Sequence, residues 1–316
     1  MRVLKETGVL PRLTALEPIP ATDTQIQAVH SPELFAQIKS VIARGGGHLD
    51  HDTYTNTRSL GAAQLAAGAV MRAVDAVISD QVNNAFALVR PPGHHATRNH
   101  AMGFCLFNNI AIAAQHALDA HALERVLIVD YDVHHGNGTQ DIFYRTPRVL
   151  YFSTHQYPFY PGTGDWRETG EGEGAGYSVN VPLPPAVGDG GYQRIFDDLL
   201  FPLAERYRPQ LVLASAGFDA HWRDPLAMEN LSIAGYAALA RTLIAIAREN
   251  CAGRLVFTLE GGYDLGAVAH GTAATFRALL GDKTIPDPLG PARRASRDMG
   301  DIGDYIEHLK GVHRLV

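Results

Sequence analysis

Leu127-Ile-Val-Asp-Tyr-Asp-Val-His-His-Gly-Asn-Gly138 runs from four apolar residues directly into carboxylates at 130 and 132 and imidazoles at 134 and 135. An apolar run of this length reads as a buried strand, predicted here over Arg125 to Tyr131. Side chains two apart on a strand share a face, roughly 6 to 7 Å apart along the backbone, so Asp130, Asp132 and His134 can converge on one centre. Oxygen and nitrogen donors without thiolate suit zinc, with iron(II) as the close rival, where one position stays open for water.

Outward from this stretch the chain alternates. The spacing predicts helices from Ser31-Pro32 to Ala43, over Ser59 to Ile78, Asn108 to Leu118, after Gly138, Tyr192 to Arg206, Ile233 to Glu249 and Ala269 to Leu280. Short apolar strands are predicted at Phe86 to Val89, Val149 to Ser153, Leu211 to Ser215 and Leu255 to Leu259. Asp50 to Thr57 reads as a polar loop, and Tyr157 to Gly190 as a long structured excursion rich in Gly and Pro. The pattern implies an α/β fold: an open, mainly parallel, multi-stranded sheet with helices on both faces. No repeat or compositional boundary divides residues 1–316, so a single catalytic domain is expected. Chemistry should lie beyond the carboxyl ends of the strands. Arg90-Pro-Pro-Gly-His-His95, Asp130 to His135, Ala216-Gly-Phe-Asp219 and Glu260-Gly-Gly-Tyr263 each follow one directly.

With 46% hydrophobic and 19% charged residues among 316, the chain is an ordinary globular one, long enough for one large core. A net charge of −6 argues against a broad nucleic-acid surface. The sequence has no unbroken run of eighteen apolar residues and no secretory core at its start, so no membrane partner and a cytoplasmic location are the default expectations. Cys105 and Cys251 lie in apolar surroundings and read as free buried thiols.

Asp219 follows its strand closely enough to supply a third ligand beside Asp132 and His134, although buried Asp and His also form purely structural networks. Five segments then carry a resemblance: Arg90-Pro-Pro-Gly-His-His95, Gly103-Phe-Cys-Leu-Phe-Asn-Asn109, Asp130-Tyr-Asp-Val-His-His-Gly136, Ala216-Gly-Phe-Asp219 and Glu260-Gly-Gly-Tyr263. In order and kind they resemble the zinc-dependent histone deacetylases, including bacterial deacetylase-like enzymes and acetylpolyamine amidohydrolases, over about residues 50 to 280. The resemblance implies the arginase/deacetylase fold and zinc ligation by Asp132, His134 and Asp219. It assigns His94 and His95 to the proton-transfer pair, His94 supported by Asp130 and His95 facing Asn137. Some members carry Asp at position 137, and Asn resembles the class II branch. Proton affinity at His95 should accordingly be lower here than in an Asp-bearing relative. Tyr263 would stabilise the oxyanion.

The same resemblance places Phe104 and Tyr160 on the walls of a channel, Gly103 beside the acyl group and Leu226 at the rim; Tyr160 in place of Phe adds a hydroxyl to one wall, available to a polar substrate. Polyamine-selective relatives can carry an acidic residue at the rim, so Leu226 favours acyl-lysine. An inner potassium site would involve Asp130, Asp132, His134 and Ser153, and an outer one the backbone around Phe143, Thr146, Val149 and Tyr177. The implied activity is hydrolysis of an N-acylated amine, either an acyl-lysine peptide or a small acylated amine. Rival readings are an acetylpolyamine deacetylase, an arginase-like manganese hydrolase and a non-catalytic acyl-peptide binder. A homo-oligomer is compatible with the sequence. The chain departs from the family pattern at its start: MRVLKETGVLPRL stands where many members carry an extra strand and a His-Pro-Glu-Pro loop.

Overall fold

A computed structural model describes residues 1–293 and 300–314. Its centre is a six-stranded, wholly parallel sheet of β3 (Asn84–Ala87), β4 (Val126–Asp130), β5 (Val149–Gln156), β6 (Ser178–Leu183), β7 (Leu211–Ala216) and β8 (Leu255–Leu259), in the order β3-β8-β7-β4-β5-β6. β1 (Gly46–His48) and β2 (Tyr54–Asn56) form a separate antiparallel hairpin.

Alternation along the strands divides the interior into two cores. Val126 and Ile128 of β4, with Leu211 and Leu213 of β7, face the helices Pro32–Ala43, Ser59–Ile78 and Asn109–Ala120. Leu127 and Val129, with Val212 and Ala214, face the opposite layer. That layer is built by helix Ile233–Cys251, the final helix Gly300–Val312, and a continuous helical stretch from Asp189 to Tyr207 interrupted by a π-turn at Phe196–Leu200. A strand covered on both sides must be apolar at every position, which is why β4 reads as an unbroken run. Helix Ser59–Ile78 is apolar and long enough to cross a bilayer, yet its Ala66, Val70, Val74 and Val77 pack into the first core.

The helix and strand expectations agree to within a few residues, with two exceptions. The excursion from 157 to 190 contains β6, which alternates weakly and carries Pro182. Proline lacks a ladder donor, and it is accommodated because β6 is an edge strand. The segment read as a polar loop pairs instead as a hairpin, the strained backbone being taken up by Gly46 and Gly47 at positive φ. At the amino end, residues Arg2–Glu6 form a short helix whose Leu4 packs with Val9 on Ala273 and Phe276 of helix Leu265–Leu279.

Candidate functional site

β4 lies between β5 and β7, and its last residue, Asp130, stands in register with Ser153 and Ser215. The chain leaving β4 is therefore flanked by two other strand exits, and Asp219 arrives from the end of β7. Asp132, Asp219 and His134 are 0%, 0% and 7% exposed, and each offers a donor atom within 4.8 Å of the other two. His134 Nδ1 stands 3.0 Å from Asp132 Oδ1 and 3.3 Å from Asp219 Oδ2.

Most of the remaining capacity of these carboxylates is committed. Asp132 Oδ1 accepts from His134 N and Oδ2 from Gly261 N, while Asp219 Oδ1 accepts from Val133 N. Asp219 Oδ2 alone is buried without a hydrogen-bond partner. Burial and the neighbouring Asp132 charge raise the Asp219 pKa. Burial also opposes ionisation of Asp132, but His94 and His134 outweigh it and hold that carboxyl low. Two enclosed carboxylates with an orphaned oxygen and an imidazole form a donor set suited to a divalent cation. Gly217 and Gly261 complete the cradle, since a Cβ at 217 would overlap Asp132 and one at 261 both carboxylates.

The two consecutive histidines lie ring beside ring but face different partners, and they acquire opposite tendencies. His94 Nδ1 lies 3.0 Å from Asp130 Oδ2, an oxygen that also accepts from Tyr151. Burial opposes its charged form, yet Asp130 and Asp132 raise its pKa to about 10. His95 Nδ1 instead faces Asn137 Oδ1 at 2.8 Å, and burial followed by the His94 and His134 charges drives its pKa well below the usual value. The rings lie 4.0 Å apart. Glu260 secures their backbone: it accepts from Gly93 N at 2.7 Å and His94 N at 3.2 Å, and from Ser215 Oγ at 3.0 Å.

Aromatic rings close round this centre. Tyr160 meets His95 edge-on at 5.1 Å, Phe159 stacks on His134 at 5.2 Å, and Tyr263 approaches His134 and Phe104, each at 6.4 Å between centroids. Burial and the Asp132 and Asp219 carboxylates raise the Tyr263 pKa, so the phenol keeps its proton. Phe104 is 43% and Leu226 54% exposed. Gly103, at φ +58°, lies against the His95 ring, where any side chain would collide. The Tyr160 hydroxyl is closed off from solvent, beside the ring edge that meets His95.

Four contributors escaped the sequence reading. Glu260 stands in the Glu260-Gly-Gly-Tyr263 segment, Phe159 in the 157–190 excursion, and Asp52 and Thr53 in the segment expected to be a polar loop. Asp52 and Thr53 accept from Gly103 N and Phe104 N and so fix the channel wall. Nothing in local spacing pairs residues fifty apart.

The pattern described as "Histone deacetylase domain" matches residues 1–279. The chain belongs to the histone deacetylase family. A probable deacetylase of Archaeoglobus fulgidus is 42% identical over 99% of the chain and 89% of its own length. The histone deacetylase-like amidohydrolase of Pseudomonas aeruginosa is 39% identical over 91% of the chain and 76% of its length. Histone deacetylase 14, chloroplastic, of Arabidopsis thaliana is 44% identical over 83% of the chain, which spans 64% of that protein. Among solved structures, the HDA15 HD domain superposes with TM-score 0.89 at 38% identity, covering 99% of this chain and 84% of that one. The sheet and its flanking helices are thus those of a histone deacetylase.

Proposed function

We propose that this histone deacetylase family member hydrolyses the amide of an N-acylated amine, acyl-lysine foremost, with zinc held by Asp132, His134 and Asp219, iron(II) being the alternative ion. The reading rests above all on two adjacent imidazoles, one facing the Asp130 carboxylate and the other the Asn137 amide, beside the buried three-donor pocket of Asp132, His134 and Asp219. Such an ion supplies Lewis acidity towards the acyl carbonyl and makes water acidic.

The side chains supply the remaining chemistry. His95, neutral and facing the amide oxygen of Asn137, takes the proton of the attacking water and delivers it to the departing amine. His94, held cationic by Asp130, contributes positive charge beside it. Tyr263 donates its hydroxyl hydrogen to the oxyanion that develops on the acyl group. Phe104 and the Tyr160 ring flank the aliphatic arm of the substrate, Gly103 leaves room for its acyl end, and Leu226 offers no charge to a distal ammonium.

Monovalent cations are part of the same reading. Potassium would bind through backbone oxygens of Asp130, Asp132 and His134 with Ser153, and at an outer position near Phe143, Thr146, Val149 and Tyr177. The outer segments do lie together: Glu171 N donates to Tyr144 O, and Tyr151 N to Tyr177 O. Carbonyls of this kind retain a second lone pair for an ion.

A panel of acetyl-lysine peptide, acetylated polyamines and longer acyl-lysines, assayed with defined zinc or iron(II), tests the proposal. Release of free amine from the lysine substrates is expected. Absence of turnover on every member would end the deacylase reading, and hydrolysis of guanidino compounds with manganese would transfer it to an arginase-like one.

A further inference from the structure

At the opposite end of the molecule a second set of metal-binding side chains converges. Asp75 lies in the last turn of helix Ser59–Ile78, His116 in helix Asn109–Ala120, and His121 caps that helix. The two helices pack through Ala73, Val74 and Val77 on one and Ala113, Ala114 and Ala117 on the other, so the three side chains project from a fixed frame. His116 Nε2 is 2.6 Å and His121 Nε2 2.7 Å from the same oxygen, Asp75 Oδ1. Their rings stand at 88° with centroids 5.5 Å apart, and the three donor atoms fall within 4.8 Å of one another.

Two features distinguish this arrangement from an ordinary helix-to-helix hydrogen bond. Both imidazoles aim the same ring nitrogen at one point, leaving each Nδ1 and Asp75 Oδ2 without a partner among the described residues. The carboxylate also sits near a helix C-terminus, where negative charge is disfavoured, and that helix has no basic residue in its last turn. The nearby guanidinium of Arg148 is engaged by the carbonyls of Leu118 and Leu123. The separations resemble those around His134, which stands 3.0 and 3.3 Å from its two carboxylates. Tetrahedral zinc with nitrogen and oxygen ligands near 2.1 Å sets donors about 3.4 Å apart, so each imidazole need retreat by less than about 1 Å.

We propose that Asp75, His116 and His121 form a second divalent-metal site, taking zinc or a neighbouring first-row ion through two Nε2 atoms and one carboxylate oxygen. Asp75 is 40% exposed on its side chain, and water completes the coordination from that open side. The site clips two helices together and does not touch substrate: His121 precedes β4, whereas the catalytic loop follows it. Without a hydrogen bond behind either imidazole, its affinity falls about 10- to 100-fold below that of a fully supported centre.

Metal-stripped protein is to be equilibrated with zinc, passed through a desalting column and assayed for metal per chain, alongside titration calorimetry. The wild-type chain should take up one equivalent more than His116→Gln/His121→Gln, and zinc should raise its Tm by more than that of the double variant, which keeps Asp132, His134 and Asp219. Equal stoichiometry in the two proteins overturns the proposal, whether or not either hydrolyses an amide. Asp75→Asn, which keeps both imidazoles, provides the same reading should the double variant fail the circular-dichroism check of folding. A lower Tm in Asp75→Asn with no change in metal content would reduce the cluster to a hydrogen-bonded clip.

Discussion

Two clusters of the same donor types lie at opposite ends of this sheet, and they differ in what stands behind the donors. Around Asp132, His134 and Asp219, backbone amides from 133, 134 and 261 hold the carboxylates, and Asp130, Asn137 and Glu260 orient the neighbouring histidines. Around Asp75, His116 and His121 the side chains meet only each other among the described residues, with Asp75 40% exposed. Similar ligands therefore support different behaviour: a buried, braced set can hold an ion and tune adjacent pKa values, whereas an exposed set can only bind.

The largest effect expected from breaking this contrast is in Asp219→Ala. Loss of one buried carboxylate should abolish both turnover and the tighter metal equivalent, while the outer equivalent persists in metal analysis. Next comes Tyr263→Phe, for which kcat should fall about 10²- to 10³-fold with metal content unchanged. Equal metal loss in the two variants would contradict the separation of their roles.

An imidazole outside both clusters sharpens the comparison through pH. His30 is fully buried, with Nδ1 2.9 Å from Thr97 O and Nε2 accepting from Asn108 N at 2.8 Å. Protonation would set one N–H against another, and burial above all lowers its pKa from 6.5 to about 4. The unfolded chain thus takes the proton first as pH falls. The stability contribution is complete above about pH 6.5 and is lost progressively towards pH 4, amounting to about 3 kcal/mol. Urea midpoints at pH 7.5 and 4.5 should diverge more in the wild type than in His30→Gln; parallel losses would refute the assignment. The smallest effect is at the rim, where Leu226→Glu should improve kcat/KM for acetylated polyamines relative to acetyl-lysine by about 5-fold or less, as for a solvated ion pair.

Periodicity made most of the sheet legible. β4, β7 and β8 are buried on both faces and announce themselves as apolar runs, and the chemical residues fall where those runs stop. β6 was lost because an edge strand with an internal proline has neither uniform apolarity nor clean alternation. The site divided along the same line. Asp132 and His134 are neighbours in sequence, so their closeness was legible, but β4 stops at Asp130 and they converge in the bend beyond it rather than on the shared strand face that the spacing predicts. Glu260 to His94, Asp52 to Gly103 and Asp75 to His116 are contacts made only by tertiary packing, and no local pattern encodes them.

The glycines at 217 and 261 carry no functional group, yet a single added methyl at either would occupy the space of a carboxylate oxygen. A survey of variants should therefore find Gly217→Ala and Gly261→Ala as damaging as substitutions of the acidic residues themselves. In this protein the most conservative replacement on paper, one hydrogen for one methyl, is chemically a deletion of the acidic pocket.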